Sequence, residues 1–180
     1  VQSPDRVQSV TKAIELLGGI SRFIESGDKV VIKPNIAFAS PPMLGATTNP
    51  DIIAQVIKLC YKAGAKTVTV IENSINDPQS CFKISGVGKA VQNAGGKIVF
   101  PTENQFAQMT LKNAALIKNW PVFFDPLKDA DKLIGITPVK DHHRSGASMT
   151  MKNWYGLLGG RRNIFHQDIN SIIAELAVLV

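Results

Sequence analysis

Cysteine is scarce in this chain: Cys60 and Cys81 are the only two in 180 residues. They make no CxxC pair and no metal-ligand spacing, which excludes a disulfide-rich scaffold. Cys60 is expected as a buried thiol on a helix and Cys81 as a free thiol in a loop, with a single bridge between them left open. No apolar run reaches the roughly 18 residues of a membrane-crossing helix, so no membrane insertion is expected. No polybasic tail or block is present, which argues against a nucleic-acid partner. GxSxG is absent. The run "GLLGG" lacks the Gly-Lys-Ser/Thr ending of a phosphate-binding loop and the spacing of a dinucleotide fingerprint. There is no internal repeat, low-complexity tract or linker, and residues 1–180 are expected to form one domain. The chain opens on Val1 and ends on the apolar "IAELAVLV" without a stop signal, so the parent domain is expected to continue beyond 180.

What is present is an ordinary globular composition, 44% hydrophobic and 19% charged, with a formal charge of +6. The positive surplus is local. Between residues 140 and 162, Lys140, Arg144, Lys152, Arg161 and Arg162 face one acid, Asp141, with His142 and His143 alongside.

The periodicity alternates. "SPDRVQSVTKAIELLGG" reads as a helix capped by Ser3, with Val7, Val10, Ile14 and Leu17 at helical spacing. "KVVIK" reads as a buried strand. "TTNPDIIAQVIKLCYKAGAK" reads as a helix capped by Asn49, with Pro50 in its first turn and Gly64 at its end. Strand 66–72, a smaller helix over "SGVGKAVQNAGG" and strand "KIVF" follow. A hairpin or an insertion is expected around "QMTLKN", then a buried strand over 132–139 and a last helix from "HQDINS", with Ile169, Ile172, Ile173 and Leu176 on one side. Strands alternating with helices predict an α/β fold: a layered, mostly parallel sheet with helices on both faces.

In such a sheet, ligands bind beyond the carboxyl ends of the strands. Lys33-Pro34-Asn35 follows the first strand, Glu72-Asn73-Ser74 the second, and Lys140 with His142-His143 the fourth. "TTNP", with Thr48 and Asn49, opens a helix whose free N–H groups suit an anion. A second cluster, "SMTMKNWYGLLGGRRNIFHQD", repeats the Lys–Asn pairing at Lys152-Asn153. It adds aromatic surface at Trp154 and Tyr155, planar donor forks at Arg161 and Arg162, and His166. On a strand-like segment His142 and His143 point to opposite faces, so at most one is expected to work with His166, in proton transfer or at a metal.

"GDKVVIKPNIAF", "TTNPDIIAQVIKLCYKAGAKTVTVIENS", "FKISGVGKAVQNAGGKIV" and "ITPVKDHHRSGASMTMKNWYGLLGGRRNIFH" together resemble the domain of unknown function 362 family over nearly the whole chain. The resemblance falls on Lys33, Asn35, Thr48, Asn49, Lys140, His142, Lys152, Asn153, Arg162 and His166. It implies association with iron–sulfur proteins, whose cysteine-rich module would lie elsewhere in a full-length protein. It also implies export behind a twin-arginine leader since removed, with the cytoplasm as the other compartment. The expectation is a basic pocket at the carboxyl edge that takes a small anion, a carboxylate or phosphate, with a metal as a further candidate. The lysines would supply charge, Arg162 would grip the anion, Asn35 and Asn153 would orient it, and His142 and His166 would carry the chemistry. The alternative is a non-catalytic accessory domain of an iron–sulfur or cell-envelope redox protein.

Overall fold

A computed structural model describes residues 1–180. Its centre is a parallel sheet of β1 (Lys29–Pro34), β2 (Thr67–Ile71), β3 (Lys97–Val99) and β6 (Lys132–Ile136), in the order β3-β2-β1-β6. The chain steps outward from β1 through β2 to β3 and then returns to the other side of β1. That reversal puts the topological switch point between β1 and β6, where the loops at the carboxyl edge diverge.

Alternation along β1 divides the core into two. Val30 and Ile32 enter one cluster with Ile53, Val56, Ile57, Cys60, Phe82 and Val91. These come from α2 (Pro50–Lys62), α3 (Pro78–Ile84) and α4 (Val87–Asn93), and α1 (Arg6–Leu16) packs against them. Val31 enters the other cluster with Val122, Phe123, Tyr155, Leu157, Ile172 and Leu176. This face is covered by the antiparallel hairpin β4 (Phe106–Met109) and β5 (Trp120–Phe123), by α5 (Thr150–Asn153) and by α6 (Ile169–Leu179). Of the hairpin or insertion expected around residues 108–113, the structure has the hairpin. A smaller hairpin, β7 (Lys140–His142) and β8 (Gly146–Ser148), leads into α5.

Four local expectations are corrected. Asp5, not Ser3, caps α1, because its carboxylate accepts from the amides of Val7 and Gln8 while the Ser3 hydroxyl accepts from Asp5. Cys81 lies on α3 and is buried, because Asp77 and Pro78 start a helix there; both cysteines are free thiols. The strand after residue 132 stops at Ile136 and is only half-buried, because it forms an edge of the sheet. The last α-helix begins at Ile169, after a 3-10 stretch over Arg162–Asp168. Asn49 caps α2 as expected, with its side chain accepting from Asp51.

Candidate functional site

Lys33 lies on the same face of β1 as Val31, at the strand's carboxyl end, and is 1% exposed. Such a cation is tolerated in a core only when its donors are spent. Lys33 Nζ has three: they go to Glu72 at 2.8–2.9 Å, to the Pro34 carbonyl at 3.0 Å and to Asn153 Oδ1 at 3.2 Å. Glu72, just past β2, also accepts from the amides of Ile36 and Asn73, each at 3.0 Å. The pair is neutral as a unit. Burial lowers the Lys33 pKa, and Glu72 opposes that shift. Gly156 is what lets the pair fit: a Cβ there would sit 2.2 Å from Glu72 Oε1.

Asn153 and Asn35 extend the network. Asn153 Nδ2 donates to the Lys33 carbonyl at 2.9 Å, and its Oδ1 accepts from Asn35 Nδ2 at 3.3 Å. Asn35 Oδ1 accepts from Lys140 Nζ at 2.9 Å, and Lys140 also donates to the Ala46 carbonyl at 2.9 Å. Lys33, Asn35, Asn153 and Lys140 therefore converge, from three separate stretches of chain. Lys140 is half-buried and its pKa is lowered, first by desolvation.

A cavity of about 460 Å³ opens beside this network. Lys33, Asn35, Glu72, Lys152, Asn153, Tyr155, Arg162 and His166 are among the residues lining it. Arg162 is held by backbone: Nη1 donates to the carbonyls of Leu158 (3.1 Å) and Gly156 (3.4 Å), and Nη2 to that of Asn73 (2.8 Å). Guanidinium carries five N–H groups, so two remain for a ligand. Lys152 Nζ lies 5.2 Å from the Tyr155 ring centroid and has no hydrogen-bonding or ionic partner in the protein. Desolvation, then Lys140 and Arg162, lower its pKa.

Tyr155 links the rest. Its hydroxyl donates to the Arg162 carbonyl and lies 3.0 Å from His166 Nδ1. With the only hydroxyl proton used on that carbonyl, His166 must supply the proton of the second bond. This assigns the Nδ1–H tautomer and leaves Nε2 with its lone pair. His166 and His142 both have pKa values below the usual histidine range, chiefly through desolvation and then through Lys152.

The cavity collects Lys33, Asn35, Lys152, Asn153, Arg162 and His166 from the expected set. Lys140, His142, Thr48 and Asn49 do not line it, although Lys140 bonds to Asn35 and His142 stacks on His166, which do. Thr48 bridges strands instead: its hydroxyl accepts from the Asn35 amide and donates to the Ile136 carbonyl, each at 2.8 Å. The two-face expectation for the histidines is corrected. His142 ends β7 and His143 begins the turn, so strand alternation does not apply. The His142 ring stacks between those of His143 (5.2 Å) and His166 (5.9 Å). Glu72 and Tyr155 were not among the expected site residues. Glu72 was visible as an acid directly after the second strand, Tyr155 only as an aromatic next to Lys152-Asn153.

The family described as Domain of unknown function (DUF362) matches residues 30–180. This chain belongs to that family. Within it, the Thylakoid-associated protein sll1697 of Synechocystis sp. is 24% identical over 161 residues, which cover 85% of this chain and 46% of the relative. The chain thus spans about half the length of that curated relative. No solved structure matches. The iron–sulfur association expected from the DUF362 resemblance finds no donor set here. A cluster takes four ligands, mostly thiolates, and this chain has two cysteines, both inside the apolar core. Nor is any group of three or more His, Cys, Asp or Glu residues arranged to hold a metal ion. No helix is long and apolar enough to cross a membrane.

Proposed function

We propose that this DUF362 domain binds a small anion, a carboxylate or a phosphate, in the basic cavity at the carboxyl edge of its sheet. One observation carries the reading: Lys152 and Arg162 face the cavity with N–H groups unspent, while the only lining carboxylate, Glu72, is consumed by Lys33. An uncompensated pair of cations in a half-buried concave site attracts negative charge. Arg162 offers two donors, Lys152 three, and the Lys33–Glu72–Asn153–Asn35 network forms the rigid floor.

The second reading is an accessory domain of an iron–sulfur or cell-envelope redox protein; the relative's name records association with a thylakoid and no chemistry. Calorimetric titration with inorganic phosphate and with citrate tests the first. Saturable binding is expected, weakened roughly tenfold or more in Arg162→Gln and in Lys152→Gln, since a charged hydrogen bond contributes about 1.5–3 kcal/mol. Absence of saturable heat with every anion tried would leave the accessory reading alone.

A further inference from the structure

Three lysine ammonium groups gather at this edge, and the protein treats one of them differently. Lys33 has all its donors engaged, with a carboxylate among the acceptors. Lys140 donates to two oxygens and sits 5.9 Å from the Phe38 ring centroid. Acceptors of this kind favour a lysine's protonated form, against the burial that lowers the pKa of both. Lys152 has none, and its nitrogen faces the cavity beside an arginine.

From this difference we propose that Lys152 is an imine-forming nucleophile and that the cavity's ligand is a small carbonyl compound carrying a carboxylate or phosphate, such as a 2-oxo acid. The proposal rests on the anion reading, because Arg162 would hold the anionic group while the carbonyl carbon meets Lys152 Nζ. The required electrostatics are present. A nucleophilic lysine must lose its proton near neutral pH, which burial and adjacent cations promote. The charged and titratable groups around Lys152 are Lys140 of β7, Arg162 and His166 of the 3-10 stretch, and His142 at the end of β7. Tyr155 lies beneath it, uncharged because burial pushes its hydroxyl up to about 12. Glu72 lines the same cavity but is paired with Lys33, and no carboxylate bonds to Lys152.

The steps balance without an oxidant. The neutral amine attacks the carbonyl carbon, forming a C–N bond as the π pair moves to oxygen. A proton passes from nitrogen to that oxygen, giving a carbinolamine. Protonation of its hydroxyl expels water and leaves the iminium. His166 lines the same cavity as Lys152, with its Nδ1 engaged by the Tyr155 hydroxyl, and is the group that would carry these protons.

The test is reductive trapping. The protein is incubated with pyruvate and cyanoborohydride, and the adducts are located by intact mass and peptide mapping. One adduct is expected, on Lys152, forming faster at pH 7 than on surface lysines, because its lowered pKa leaves more of it as the free amine. Its rate should reach half-maximum at lower pH than theirs. Lys152→Arg should abolish that adduct while the other lysines label as before. Arg162→Gln should slow labelling by pyruvate more than labelling by the neutral propanal, which loses only the cation's effect on the amine. Labelling spread evenly over surface lysines, or an unmodified Lys152, overturns the proposal. Phosphate titration of the same sample separates the two claims. Saturable phosphate with no Lys152 adduct refutes the imine and keeps the anion site. An adduct without phosphate binding refutes the anion site.

Discussion

Lys33 is the residue whose role changes most between sequence and structure. A lysine ending a strand reads as a cation offered to a ligand, yet its three N–H groups are used within the protein and its charge is matched by Glu72. Its removal would leave Glu72 charged, 2% exposed and without a counterion. Lys33→Ala is therefore expected to lower stability by roughly 3–5 kcal/mol, as for other broken buried pairs. Urea denaturation measures this, and a loss below about 1 kcal/mol would mean the pair is not buried in solution. Lys152 makes the opposite case. With no partner to lose, Lys152→Gln should stay within about 0.5 kcal/mol of the parent. The sequence could not separate the two lysines, each followed closely by an asparagine, because Glu72 is 39 residues from Lys33 along the chain.

At the scale of elements, the strand–helix alternation was legible because each element carries its own period and its own stops. Asn49-Pro50 begins α2 and Gly64, at φ +98°, ends it. What joins one element to another was less legible. The loop before β5 is held by α6, where the Glu175 carboxylate accepts from the amides of Ala115 (2.7 Å), Leu116 (3.0 Å) and Ile117 (2.8 Å). Ile117 is fully buried there, so the hairpin depends on this clasp to close over its face of the sheet. Glu175→Ala should cost roughly 1–3 kcal/mol, the penalty for unsatisfied donors, and should speed amide exchange at residues 115–117. Unchanged exchange there would show that water replaces the carboxylate at no cost. Nothing in "IAELAVLV" announces this contact; a glutamate on an apolar helix reads as a solvent-facing residue.

At the scale of the whole molecule, the basic edge makes stability depend on pH. His142 and His166 have lowered folded-state pKa values, so the fold favours their neutral forms. The unfolded chain takes up protons first, near the ordinary value of about 6.5. The histidine contribution is thus complete above that pH, is lost as pH falls through it, and levels off below the folded values. Melting temperature should fall between pH 7.5 and 5.5, before most carboxylates titrate. The fall should be smaller in His166→Gln, and an equal fall in that variant would exclude His166 as a source.

The amino-acid sequence by itself determined the α/β class, the helix caps at Asn49 and Gly64, and the kinds of side chain that end the strands, because backbone propensity and periodic burial act over a few residues. Tertiary structure decided which of those side chains pair with each other and which remain open to a ligand. Charge compensation acts through space: Glu72 neutralises Lys33 at 2.8 Å, while Lys152, brought to the same cavity by α5, meets cations, histidines and an aromatic ring but no bonded carboxylate.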